Sequence, residues 1–249
     1  METLDHRPRV AAERRERMRL RLLTTALQLV AKKGPAAMSI DDVISAAEVS
    51  RGTFYKYFPS PEVLVRELAL EIANELIRMA EPVVLGYEDP AERVACGIRL
   101  VSRLSIHQPV VASFLVRLGW PDARGPDILL DFVRRDLNAG IRQGRFKRMP
   151  IGLALNIVAG SVLGATHCML EPDCEADFAE QTAAAALRAL GVDAKSAERI
   201  AKRPLQAVET LPEGLLAETL ARSPRRKATT HPAAAALTPR KRRSVRRNA

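Results

Sequence analysis

Aromatic residues make up only 4% of this 249-residue chain, with one Trp, three Tyr and six Phe. Few stretches alternate apolar and polar residues as a half-buried strand does, so the pattern is that of an all-α protein. Cysteine occurs three times, at 96, 168 and 174, an odd number with no C-x-x-C pair. That speaks against a disulfide framework and for reduced, packed thiols. His167, Cys168 and Cys174 lack recognisable zinc spacing, so neither metal nor cofactor is expected. G-x-S-x-G, a Walker A lysine loop, G-x-G-x-x-G after a strand and H-E-x-x-H are all missing, and catalysis is not expected. Residues 1–10 are charged and carry no apolar h-region, which favours the cytoplasm.

Long apolar runs are scarce as well. Residues 151–170 form the only segment long enough to cross a bilayer without a formal charge. It contains Gly152, Asn156, Ser161, Thr166 and His167, lacks Trp or Tyr at its ends, and stands alone among amphipathic helices. A buried interface helix is the expectation, and no membrane partner.

What the chain does contain is a succession of capped helices. Residues 14–33 place Leu23, Ala26, Leu27 and Val30 on one face and stop at Lys32, Lys33, Gly34 and Pro35. A second helix opens at Ser39, with Asp42 at capping-box spacing in place of the usual Glu, and runs about two turns. A short link through Glu48 and Val49 leads to a third cap at Ser50, the spacing of a helix-turn-helix, although the turn lacks glycine. With Ser50 as N-cap, Phe54 and Phe58 share a core-facing side, while Arg51, Thr53, Tyr55, Lys56 and Tyr57 project outward and Gly52 permits a close approach. A fourth helix starts at Ser60 and Pro61 and carries Leu64, Leu68, Ile72, Leu76 and Met79.

Three short helices followed by a long one, with a polar and aromatic third, resemble the N-terminal domain of the TetR family of transcriptional regulators. The resemblance covers residues 14–70 and rests on three motifs: 26–30 with Lys33-Gly34, Ser39-Ile40-Asp41-Asp42-Val43, and Val49 to Phe58. It implies that Arg51, Thr53, Tyr55 and Lys56 meet bases or phosphates in the major groove. Ser39, Ser50, Gly52 and Tyr57 complete the DNA-binding set, with Tyr57 and the start of the second helix on the backbone. One departure stands out. The family usually places a phosphate-binding lysine just inside the fourth helix, and this chain has Pro61 there.

Charge is unevenly placed. Residues 222–249 hold ten basic side chains and no acid, equal to the net charge of +10 for the whole chain. Such a tail, with Pro224, Pro232 and Pro239, is expected to be disordered and to offer salt-sensitive phosphate contacts, as does the run Arg14, Arg15, Arg17, Arg19 and Arg21.

Between head and tail, helical spacing recurs after Pro90, Pro109 and Pro126. The resemblance implies that this region encloses a small-molecule pocket, for which Leu104, His107, Phe114, Arg117, Trp120 and Asn156 are candidates. It also implies a homodimer built on the last two long helices. Gly160 and Gly164 on one, and Phe178, Thr182, Ala185 and Ala189 on the other, are the candidate interface.

The organisation expected is a flexible arm at 1–13, a helix-turn-helix domain at 14–59, a helical ligand-binding and dimerisation domain at 60–203 opened by a connecting helix at 60–81, and a basic tail at 204–249. The function expected is that of a homodimeric repressor that binds a palindromic double-stranded operator and responds to a small-molecule effector. The competing reading is a non-DNA helical interaction protein tethered by its tail to RNA or an anionic membrane.

Overall fold

The computed structural model describes residues 6–119, 128–208 and 213–222. The described residues form helices and turns, without strands. The N-terminal elements are α1 (His6–Lys33), α2 (Ile40–Ala46), α3 (Arg51–Tyr55) and α4 (Pro61–Val84). The body follows with α5 (Pro90–Ser102), α6 (Leu104–His107), α7 (Pro109–Leu118), α8 (Ile128–Arg142), α9 (Ile151–Cys168), α10 (Phe178–Ala189), α11 (Ala194–Ala201) and α12 (Leu215–Arg222).

One hydrophobic core crosses the boundary expected at residue 59. Leu22, Leu23, Ala26, Leu27 and Val30 of α1 pack with Val43, Phe54, Phe58, Leu64, Leu68 and Ile72, and the same cluster takes in Leu104, Val111, Ala112 and Phe114. The head is therefore joined to the body along α7, where Arg117 Nε also donates to the Ala31 carbonyl at 2.8 Å. A second core lies among α5, α8, α9, α10 and α11, and is filled mainly by small residues and by Ile98, Leu137, Phe146, Leu155 and Leu187. Glu180 of α10 sits buried between Arg99 of α5 and Arg103, which caps the end of α5, and ties the two helices by charge-assisted bonds.

Three expectations change. Residues 6–13 are helical, so that stretch extends α1 instead of forming an arm. The third helix is shorter than residues 50–58. After Tyr55 the chain tightens into i to i+3 bonds, Lys56 N to Thr53 O and Tyr57 N to Phe54 O, because Pro59 disfavours helical geometry at Phe58.

The third change concerns the tail. Residues 213–222 belong to the folded body: Leu215 and Leu216 are fully or almost fully buried in the first core. The buried Glu75 carboxylate accepts from Leu215 N at 2.7 Å and Leu216 N at 2.8 Å, capping α12 from α4. Gln108 donates to the Leu216 carbonyl at 3.1 Å and Thr24 to Glu218 at 3.2 Å. Upstream, Leu205 and Val208 join a small cluster with Val83, Val84, Cys96 and Leu100. Residues 223–249, which hold nine of the ten tail cations, lie outside the described residues.

α9 is the one helix among the described residues long and apolar enough to cross a bilayer. Its apolarity has a local cause. Ala154, Leu155, Val158 and Ala165 are buried, the first three in the second core.

Candidate nucleic-acid interface and effector cavity

The helix-turn-helix is set by its caps. Ser39 Oγ accepts from Asp42 N at 3.2 Å, and Asp42 Oδ2 accepts from Ser39 N at 2.8 Å, a complete capping box with Asp in the Glu position. Lys33 at the end of α1 reaches the same carboxylate at 2.5 Å. The Lys33 ammonium, and then the Ser39 hydroxyl and amide, hold Asp42 well below the usual carboxylate range. In α3, Ser50 Oγ accepts from Thr53 N at 3.1 Å and lies 2.9 Å from Thr53 Oγ1.

The turn solves its missing glycine through Glu48, which adopts φ 50°, the left-handed region. Val49 N then bonds to Ile44 O at 3.0 Å and closes the turn. Arg21 of α1 holds the Glu48 carboxylate at 3.2 Å. Residue types in the sequence carried no sign of this.

With Phe54 and Phe58 fully buried, the opposite side of α3 is presented outward. Arg51, Gly52, Tyr55 and Lys56 are exposed, Tyr55 at 48%, while Thr53 and Tyr57 are half-buried. Arg51 is tied to Asp41 of α2 at 2.5 Å, so its guanidinium is positioned across the two helices. Ser39 and Ser50 are exposed at their helix starts. Lys56 and Tyr57 also form one wall of a groove whose other wall is Val10, Ala11, Arg14, Arg15 and Met18 on the extension of α1. Arg14, Arg15 and Arg17 are exposed, whereas Arg19 and Arg21 are engaged with Glu71 and Glu48. Two of the five arginines in that run, Arg14 and Arg15, are thus presented beside the recognition face. Pro61 occupies the first position of α4 under the Ser60 cap.

A cavity of about 970 Å³ lies beneath the head, bounded by α4, α5, α8, α9 and the end of α7. Its walls are mainly aliphatic: Val65, Ala69 and Leu76 of α4, Ile98 and Val101 of α5, and Val162 of α9 are typical, with Phe132 of α8 the aromatic contribution. One end is polar. Arg93 approaches Asp136 at 3.5 Å, and Arg135 holds Asp136 at 3.0 Å and also pairs with Glu81. Bonds to Asp136 and Glu81 push the Arg135 guanidinium above its ordinary value. In the wall, Thr166 Oγ1 is buried without a hydrogen-bond partner.

The ligand residues expected from sequence lie elsewhere. Leu104 of α6 and Phe114 of α7 belong to the first core, the latter because α7 packs that face against α1. His107 is half-buried with Nε2 unpartnered, and burial, then the Arg103 charge, lowers its pKa. Arg117 bonds to Ala31, and Asn156 is exposed on the outer side of α9. None of these five lines the cavity; Trp120 lies outside the described residues. Residues missed by sequence, Arg93, Asp136 and Thr166, come from three helices that only the tertiary fold brings together.

The six candidate dimer residues lie on α9 and α10, which pack against each other. Gly160, Phe178 and Thr182 are half-buried, and Gly164, Ala185 and Ala189 are exposed. A Cβ added at Gly164 would meet nothing within 4 Å, and Leu153 on the same helix is 51% exposed.

Comparisons with known proteins bear on both sites. Residues 22–68 match the family model of bacterial regulatory proteins of the tetR family, and residues 89–203 match that of the tetracyclin repressor-like C-terminal domain. The crystal structure of RolR in complex with resorcinol aligns at 34% identity with a TM-score of 0.62, covering 80% of this chain and 100% of that one. The chain belongs to the TetR family of transcriptional regulators. Other members show how the likeness is distributed. An HTH-type transcriptional regulator of Mycobacterium tuberculosis is 30% identical over 105 residues, 42% of this chain and 52% of that protein, so the match spans about half of that relative's length. EthR of Mycolicibacterium smegmatis is 37% identical over 71 residues, covering 28% of this chain and 30% of EthR. A putative TetR-family regulator from Shewanella sp. PV-4, at 22% identity and TM-score 0.62, shares the fold. Residues 213–222 lie beyond both family models, so α12 is an addition to the matched regions.

Proposed function

We propose that this TetR-family protein is a homodimeric repressor whose α3 reads an operator in the major groove and whose cavity takes a small hydroxylated aromatic effector. The observation that carries the DNA reading is the division of α3. Two fully buried phenylalanines fix the helix to the head, and Arg51, Thr53, Tyr55 and Lys56 are turned outward on the opposite side. Those side chains supply donors for base edges, and the exposed caps, Gly52, Tyr57 and the arginines of α1 supply phosphate contacts. The outer faces of α9 and α10, including Gly160, Gly164, Phe178, Thr182, Ala185 and Ala189, would pack against their twins. The resulting two-fold axis calls for an approximately palindromic site.

The effector class is supported by RolR, whose structure contains resorcinol, and by the cavity itself. Its volume is near the upper end of the roughly 300–1,000 Å³ usual for ligand pockets. Phenolic hydroxyls would meet Asp136, Arg93 and the unpartnered Thr166, while the aliphatic walls would cover the ring and an apolar substituent. α4 is the route to the head, because Val65 and Ala69 line the cavity while Leu64, Leu68 and Ile72 of the same helix pack in the head core. A ligand that displaces α4 therefore displaces α3.

Genomic fragments retained by the purified full-length protein test the reading. Enrichment of a two-fold symmetric sequence, released on adding resorcinol or an alkyl-substituted relative, is expected. Retention without any sequence preference would contradict operator recognition, and an unaltered operator complex across hydroxylated aromatics would contradict the effector class.

A further inference from the structure

The sulfurs of Cys168 and Cys174 lie 3.2 Å apart, at van der Waals or hydrogen-bond contact. The chain brings them together by a run of tight turns at the end of α9: Leu170 N bonds to His167 O at 3.2 Å, Glu171 N to Cys168 O at 3.0 Å and Cys174 N to Glu171 O at 3.5 Å. Six residues of sequence thus fold back into one thiol pair. Both side chains are half-buried, in contrast to Cys96, which is buried in the body. A disulfide has its sulfurs at about 2.05 Å, so closing the bond needs a movement of roughly 1.1 Å within a turn.

We propose that Cys168 and Cys174 form an oxidisable dithiol that a neutral hydroperoxide converts into an intrachain disulfide. This chemistry stands independently of the operator and effector readings. Burial and the adjoining Cys168 sulfur push the Cys174 thiol up to about 12, so Cys174 keeps its proton and Cys168 supplies the attacking sulfur. The Cys168 sulfur gives its electron pair to one peroxide oxygen, the O–O bond breaks, and the departing hydroxide takes a proton and leaves as water. Cys168 is then a sulfenic acid. The Cys174 sulfur attacks it, the S–O bond breaks, and the released hydroxide carries off the Cys174 proton as a second water. Two thiols lose two electrons and one peroxide is reduced to two waters.

The surroundings select the oxidant. Glu171, Asp173, Glu175 and Asp177 are exposed on the same connector, and Gln181 holds Glu175 and Asp177 at 2.6 and 2.8 Å. Their charge repels an anionic disulfide oxidant and leaves a neutral peroxide unaffected. The bridge would join the last residue of α9 to the connector that leads into α10.

Treatment of the full-length protein with a small excess of hydrogen peroxide, followed by alkylation after unfolding and intact mass measurement, tests this. One alkylatable thiol in place of three, a peptide containing the 168–174 link, and monomers on a non-reducing gel are expected, with dithiothreitol restoring three. In Cys174→Ser the sulfenic acid on Cys168 should accumulate and be captured by dimedone. Three alkylatable thiols under peroxide that oxidises free cysteine, a bridge involving Cys96, or covalently linked dimers would each overturn the proposal. So would Cys174→Ser protein that gives no dimedone adduct.

Discussion

Glu48 occupies a backbone position that glycine would fill without steric cost, and the strain it carries is held in a turn closed by the bond from Val49 N to Ile44 O. Glu48→Gly should raise the unfolding free energy measured in urea, by up to about 1 kcal/mol less the small value of the exposed Arg21 pair, and β-branched Glu48→Val should lower it. His107 makes a second residue-scale test. Burial and Arg103 depress its pKa in the folded chain, so the unfolded chain binds more protons as pH falls below the ordinary histidine range. The stability of the neutral folded form is present above that range and is lost as pH drops through it towards the lower folded value. Urea midpoints measured from pH 7.5 to pH 5 should fall more steeply for the native protein than for His107→Leu. At this scale much was legible. Ser39, Asp42, Ser50 and Ser60 cap as their spacing indicates, and Phe54 and Phe58 are buried as their four-residue separation requires. The left-handed turn was not, because a glutamate there has no compositional signature. The cavity lining was not either, since α7 has apolar residues on several sides and only packing decides that Phe114 faces α1.

α12 shows how an element can be hidden by its neighbours. Eight residues are too few to stand out beside a strongly cationic segment, and the group that stabilises the helix, Glu75, is 140 residues away in sequence. Gly214 is part of the same arrangement: it has φ 121°, and a Cβ there would come within 2.3 Å of the Glu75 carboxylate. Removing the carboxylate leaves two buried amides without their acceptor. Glu75→Ala should cost on the order of 2–3 kcal/mol, and hydrogen exchange should show lost protection at Leu215 and Leu216 while α9 and α10 keep theirs. Equal protection in both proteins would mean that α12 is held by its leucines alone. The helices of the body from Pro90, Pro109 and Ile128 were legible because proline marks their starts or lies close before them and their apolar spacing is regular.

Across the whole molecule, the shared core of α1 and α7 and the double role of α4 make the head and cavity one mechanical unit. Nine cationic residues follow α12 in the sequence, and the proposed DNA reading expects them to add to the phosphate contacts of the head. Truncation after Arg222 keeps α12 and removes nine basic residues. It should weaken operator and random duplex alike and reduce the slope of log affinity against log salt by up to about 8. An unchanged slope would leave residues 223–249 without a role in DNA binding. The central claim, that α3 reads sequence, is tested most directly by a gel shift comparing the native protein with Tyr55→Ala/Lys56→Ala on operator and shuffled duplex at one salt concentration. If each lost contact is worth about 1–3 kcal/mol, operator affinity should fall about 30-fold or more towards that for shuffled DNA, with thermal unfolding and dimerisation unchanged. Operator affinity equal to that of the native protein would contradict the account.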